Sequence, residues 1–305
     1  MIWRAFVVSL FVALALSETD LFEDILKKQL LKDYNKGTAP PWVVVQHQLS
    51  VWQIQEVSTE HQRMSFQGWW RHYWVDSRLR WSPAEHGNLT KISVPISDLW
   101  LPDVHVYMQT YGTDQPLSPV NVEVYSSGQA FVSIPRTVTF GCNMHLDQFP
   151  FDTQTCWFDL GAVTYDGKTM DLIPRIIGDS FSAVDLGYMV AHSEFELLAV
   201  NTIARNVLYS CCPNPYPTIR YEFIFRRYAT AYVTSIIAPL MIVAIVSILG
   251  HFLHPHAGER IGLSVTMLLT SAAIYFVAAA MLPKESTQIH SHSHAHAHTH
   301  TYMHT

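Results

Sequence analysis

Four cysteines carry the most evident chemistry in this 305-residue chain: Cys142, Cys156, Cys211 and Cys212. The first two enclose thirteen residues that include Phe149-Pro150-Phe151-Asp152, and the other two are adjacent, flanked by Tyr209 and Tyr216. In an oxidising compartment such thiols pair, and four of them allow three pairings. A second chemical signal is the alternation of histidine with Ser, Ala or Thr from His290 to His300. Histidine-rich tracts suggest metal binding. An in-frame CA-dinucleotide repeat encodes the same alternation, and the tail is read that way, as a disordered segment over 284–305 with no metal site. No nucleophile is paired with a base in the sequence, so the reading is not an enzyme and requires no cofactor.

The compartment follows from the start of the chain. Arg4 precedes the apolar run Ala5–Leu16, and Ala15-Leu16-Ser17 offers small residues for cleavage, so residues 1–17 read as a signal peptide. All four cysteines lie beyond it, and Asn88-Leu89-Thr90 is a glycosylation sequon suited to the same compartment. The chain is 49% hydrophobic and 14% charged with a net charge of -6, and no basic patch points to nucleic acid.

The elements that must position these groups change character along the chain. Apolar residues at 21, 22, 25, 26, 30 and 31 predict a short helix over 21–33, closed by Gly37 and Pro40-Pro41. From Trp42 to Arg227, short alternating and β-branched runs separated by turns such as Ser126-Ser127-Gly128 predict an all-β sandwich, giving an extracellular domain over 18–227. Within 228–283, two apolar stretches at about 229–253 and 261–282 are long enough to cross a membrane as α-helices. Pro239 lies inside the first, and His254–Arg260 forms a polar loop between them.

The Cys142–Cys156 segment with its Phe-Pro-Phe-Asp core resembles the loop of the Cys-loop receptors, the pentameric neurotransmitter-gated channels. Tyr209-Ser-Cys-Cys-Pro-Asn-Pro-Tyr216 resembles the capping loop of a nicotinic acetylcholine receptor α-type subunit, and the likeness runs from about Leu21 to Pro283. It implies pairings 142–156 and 211–212, and assembly with other subunits into a homo- or heteropentamer. It also implies a quaternary-amine ligand (acetylcholine, choline or similar) held by cation–π attraction. Tyr209 and Tyr216 would be walls of that box, with Cys211–Cys212 stiffening the cap. Trp100-Leu-Pro-Asp103-Val-His-Val-Tyr107 is similar to the first binding segment, with Tyr107 facing ligand and Trp100 and Asp103 structural. Trp69 takes the ligand-facing place on the complementary face. Val163, before Thr164-Tyr-Asp-Gly167, stands where the family carries a tryptophan, so one π face is missing.

The same resemblance assigns a pore and a coupling region. Glu259 would form a charged ring at the pore mouth, Thr266 would line the pore, and Leu269 would form an apolar ring that gates by dewetting. Gly262, Ala273, Val277 and Ala280 share their helical stripe, Ala280 replacing an outer glutamate. Phe149, Pro150, Phe151 and Asp152 would meet the basic pair Arg226-Arg227, with Arg227 as the coupling residue and Asp152 as an ionic contact for the pair. The implied setting is the postsynaptic plasma membrane, N-terminal domain outside and spans in lipid. Relatives carry four spans where two are seen here, so the chain reads as truncated after the second, and Gly262, Ser264, Thr266 and Thr270 are expected to have poor partners without the missing helices. The alternative role is a non-conducting ligand-binding or dominant-negative isoform.

Overall fold

A computed structural model describes residues 21–111, 120–176, 183–252 and 259–281. The predicted signal segment, most of the polar loop between the spans and the His-rich tail lie outside these residues.

Helix α1 covers 21–31, two residues short of its predicted end. Its contact with the sandwich is a narrow strip: Leu26 is buried and Leu30 and Leu31 pack partly, whereas Leu21 and Ile25 are 60% and 50% exposed. Residues 26 and 30 are one turn apart on one face, and 21 and 25 fall to its side. Phe22 lies against Gly87, whose positive φ and missing Cβ allow that approach. Just beyond the helix, the Tyr34 hydroxyl donates to Asp76 at 2.9 Å and accepts the Trp100 amide at 3.1 Å, tying this segment to the sandwich.

The sandwich consists of two sheets. The larger contains β1 (Val43–Ser58), β2 (Arg63–Val75), β3 (Lys91–Pro95), β6 (Asn121–Tyr125), β7 (Gln129–Gly141) and β10 (Val184–Asp185) in the order β10-β1-β2-β7-β6-β3. β5 (Gln109–Tyr111) pairs with β7, and β9 (Met170–Pro174) with β1. The smaller sheet runs β11 (Phe195–Val207), β12 (Tyr216–Arg227), β8 (Thr153–Ala162), β4 (Val104–Val106). Several strands are longer than their apolar runs. Residues 43–45 of the run Trp42–Val45 begin β1, which extends over 16 residues, and register slips at Trp52 and Gln55 break its simple alternation.

Alternate residues of both sheets fill the space between them. Phe66, Phe140, Phe158 and Phe223 form an aromatic cluster with centroid separations of 5.0 to 6.3 Å. Contacts of this kind add about 0.5–1.5 kcal/mol each beyond area burial. A polar seam crosses the same core: His47 Nδ1 and the Tyr221 hydroxyl are 2.6 Å apart, and His72, the cross-strand partner of His47, lies 4.9 Å away ring to ring.

β12 continues almost directly into α2 (Thr230–Gly250), and α3 (Glu259–Met281) follows the loop. Val233–Ile237 forms a π turn immediately before Ala238-Pro239. Proline lacks the N–H and crowds the carbonyl four residues back, so the wider turn accommodates the kink expected there. Neither span is buried within the chain, leaving its apolar surface for lipid or neighbouring helices.

Candidate functional site

Tyr107, Ala162, Val163, Tyr209, Cys211, Cys212 and Tyr216 line one cavity of about 210 Å³. Tyr107 follows β4, Val163 follows β8, and the two other tyrosines bracket the turn of the β11–β12 hairpin. Their rings meet edge to face at 5.9 Å and 64°, and Cys211 is bonded to Cys212 between them. The Tyr107 hydroxyl donates to the Ala162 carbonyl at 2.7 Å and its amide donates to the Asp159 carbonyl at 2.9 Å. A Cβ on Gly161 would run into that hydroxyl, so glycine lets the ring lie flat on β8. Burial, reinforced by Tyr209, Asp103, Tyr216 and Asp159, pushes the Tyr107 phenol above its ordinary pKa, so it stays a neutral donor. The Tyr209 phenol is raised too, by burial first and then by Asp159.

Asp103 positions the segment that carries Val163. Its carboxylate accepts the Thr164 amide at 2.8 Å and lies 2.7 Å from His105 Nε2. Burial works to raise the Asp103 pKa, but these hydrogen bonds outweigh it and hold the carboxyl below its ordinary value. Trp100 is buried beneath, edge-on to Tyr165 and Trp74. Val163 is 62% exposed, so the wall without an indole is open to solvent.

Two further contacts hold the cap, and sequence reasoning missed both. Asn214 Nδ2 donates to Asp166 at 2.6 Å and the Gly167 amide donates to the Pro215 carbonyl at 2.9 Å. Lower down, Arg220 grips Asp159 with two bonds of 2.8 Å and lies 3.6 Å over the Trp157 ring. These partners are 48 and 61 residues apart, and only the strand register brings them together. Trp69 is not part of the cavity: it is half-buried in β2, on the outward face of the larger sheet, beside Trp52.

At the end of the sandwich that meets α2, Cys142 is bonded to Cys156. Within that loop Pro150 is buried, Phe151 is 65% exposed, and the Phe149–Pro150 peptide is cis. Asp152 receives Arg227 Nε at 2.8 Å and Nη2 at 3.1 Å, and Gln154 also donates to it. Burial opposes ionisation of Asp152, but hydrogen bonds from Arg227 and Gln154 prevail and lower its pKa. The Arg227 guanidinium lies 5.1 Å from the Phe149 ring and 4.7 Å from Phe195, and Phe149 meets Tyr232 of α2 edge to face at 4.8 Å. Arg226 points outward to Glu196 at 2.6 Å. Tyr232 was not singled out from sequence, because an aromatic at the start of an apolar span also fits a membrane-interface anchor.

Glu259 opens α3, and Thr266 and Leu269 follow at helical spacing, Leu269 being 65% exposed. The hydroxyls of this helix bond back to carbonyls of the helix itself. Ser264 donates to the Arg260 carbonyl at 3.0 Å, Thr266 to Gly262 at 2.8 Å and Thr270 to Thr266 at 2.8 Å. A carbonyl one turn back is always within reach of such a side chain, so no second helix is required. Gly262 does face open space. Asn88 is exposed with φ of 61°, on the turn after Pro83–Glu85.

Residues 23–229 match the neurotransmitter-gated ion-channel ligand binding domain, and residues 236–289 match the transmembrane region of the same channels. The acetylcholine receptor subunit alpha-type acr-16 of Caenorhabditis elegans is 31% identical over 281 residues, covering 90% of this chain and 54% of that protein. The neuronal acetylcholine receptor subunit alpha-2 of Pan troglodytes is 29% identical over 272 residues (88% and 50%), and the subunit alpha-L1 of Schistocerca gregaria is 28% identical over 272 (86% and 48%). The chain thus spans about half the length of the curated relatives it matches. Its family comprises plasma-membrane channels, not enzymes, with the N-terminal ligand-binding domain outside the cell. A β-sandwich carrying a disulfide-capped tyrosine cavity, with a buried ion pair where it meets apolar helices, and matched in both parts, belongs to the neurotransmitter-gated ion-channel family.

Proposed function

We propose that this chain is a subunit that binds a quaternary-amine neurotransmitter of the acetylcholine or choline type and passes the binding event to a cation pore. The observation that carries the reading is the cavity formed by Tyr107, Tyr209 and Tyr216 under the Cys211–Cys212 cap. Tyrosine π faces attract a desolvated ammonium by up to about 2 kcal/mol each. The principal wall comes from this chain, and Trp69 of a neighbouring subunit's complementary face completes the box. Ligand draws the cap inward, and the β11–β12 hairpin carries that displacement to Arg227. Asp152 and Phe149 then deliver it to α2, which neighbours α3 and its Glu259, Thr266 and Leu269 stripe. The finer assignments follow the acetylcholine receptor α subunits to which the chain is similar.

Calorimetric titration of choline and of acetylcholine into the detergent-solubilised chain tests this. Saturable binding that is lost in the double variant Tyr209→Ala/Tyr216→Ala but kept in Tyr188→Ala, whose residue lies outside the cavity, supports the site. Equal binding by all three proteins rules it out.

A further inference from the structure

The larger sheet carries an aromatic corner that the box above does not use. Trp52 and Trp69 lie 5.2 Å apart with their planes at 66°, both on the outward face. A β-bulge creates the arrangement. Val51 pairs with Gly68 and Gln53 with Gln67, so Trp52 is the extra residue with no cross-strand partner. A bulge bends and twists its strand and re-aims a side chain. Here it turns Trp52 toward Trp69, the partner of Ser50 two positions back. The Val190 amide donates to the Trp52 carbonyl at 2.7 Å and fixes the bulge from the other side.

Trp52 remains 41% exposed although it is large and apolar, and among the described residues only Trp69 makes ring contact with it. Two indoles at a steep angle, one face open, form a concave π surface on which Trp69 offers a face to an ammonium group and Trp52 an aromatic wall to a substituent carried by it. Val163 leaves the principal wall one indole short and exposed.

We propose that Trp52 is a ligand-contacting residue of the complementary face, adding to Trp69 a second π surface for the part of the ligand beyond the ammonium. The ligand class it selects is a quaternary ammonium bearing an apolar or aryl substituent. The bare ammonium occupies the tyrosines and Trp69, and the substituent lies against Trp52. This inference rests on the assignment of Trp69 to the ligand box made above.

The test compares benzyltrimethylammonium with tetramethylammonium by calorimetric titration into the full chain in mild detergent, using Trp52→Phe, Trp52→Leu, Trp52→Gln and Trp69→Leu. Trp52→Leu and Trp52→Gln are expected to weaken benzyltrimethylammonium binding by up to about tenfold and tetramethylammonium less than about threefold. Trp52→Phe keeps a ring and stays within about threefold for both. Melting temperatures identify any variant that fails to fold, and glutamine suits an exposed bulge if leucine does not. Weaker binding in Trp69→Leu with unchanged binding in both ring-less Trp52 variants overturns this proposal and leaves the box intact. Unchanged binding in Trp69→Leu as well removes the complementary-face assignment and this inference together. Equal losses for the two ligands in the Trp52 variants mark a purely structural role and also overturn it.

Discussion

Asp152 and Arg227 form a two-pronged ion pair that is almost fully buried, with 2% and 3% of their side chains exposed, at the junction between the β-sandwich and α2. The pair links the Cys142–Cys156 loop to the last residue of β12, and the Arg227 amide also donates to the Asp152 carbonyl at 3.2 Å. Phe149 and Phe195 flank the guanidinium, so both charges depend on one another for compensation.

Removing one partner leaves a charge stranded out of water, which costs about 3–5 kcal/mol. Arg227→Gln is therefore expected to melt far below the unmodified chain. Asp152→Asn, which preserves shape, is expected to lose a comparable amount, because Arg227 then lacks its counter-charge. Arg226→Gln breaks only an exposed pair and is expected to change stability by less than about 1 kcal/mol. Thermal denaturation of the three variants ranks them, and equal shifts for Arg226 and Arg227 would contradict the burial argument.

Val163→Trp restores an indole at an open position of the cavity. The added π face is expected to tighten quaternary-amine binding by up to about 2 kcal/mol, close to thirtyfold. Titration of choline into the variant measures this, and weaker binding would show that the valine makes room for a ligand group.

The two disulfides are expected to separate by function. Cys142 and Cys156 are 14 residues apart in sequence, and Cys211 and Cys212 are adjacent. Closing the longer loop restricts the unfolded chain by about 3 kcal/mol, whereas joining neighbours restricts it little. Cys142→Ser/Cys156→Ser should lower the melting temperature strongly. Cys211→Ser/Cys212→Ser should leave melting nearly unchanged and weaken ligand binding through a looser cap. Melting curves and titrations on both double variants give the comparison.

His47 and His72 make the fold acid-sensitive. Burial depresses both: His72 to about 3, helped by Arg136, and His47 well below its ordinary value, helped by His72 and Arg136. Tyr221 and Trp70 complete the surroundings of His47 without supplying a negative charge. Unfolded histidine titrates near 6.5, so below that pH the unfolded chain binds protons that the folded chain refuses. The contribution is fully present above pH 6.5 and falls as the pH drops, by about 1.4 kcal/mol per unit for each histidine, until the folded group itself titrates. Melting temperature is expected to fall from pH 6.5 to 4.5, with a shallower slope in His72→Gln. An unchanged slope in that variant would mean another group controls the acid response.

Much of the architecture was legible in local chemistry. The alternation of residues 219, 221, 223 and 225 marks β12, and Ser126-Ser127-Gly128 marks a turn whose glycine has φ of 82°. The apolar stretches around Pro239 and Leu269 announce spans because bilayer thickness sets a length that few soluble helices share. The cap was readable as well, since adjacent cysteines between two tyrosines are confined to a few residues of sequence. Extents were less legible: β1 runs past its apolar start because bulges at Trp52 and Gln55 scramble the period of two, and the face of α1 is half uncovered.

Sequence by itself determined the types of element, the compartment and the adjacent cysteines set between two tyrosines, all of which depend on residues close together in the chain. Tertiary structure alone decided that Arg226 turns out to Glu196, that Arg220 clamps Asp159, that Asn214 tethers the cap to Asp166, and that Trp52 turns onto Trp69. Each is a contact between separate strands or loops, set by register and bulges. A shift of one residue in register would turn every side chain to the opposite face.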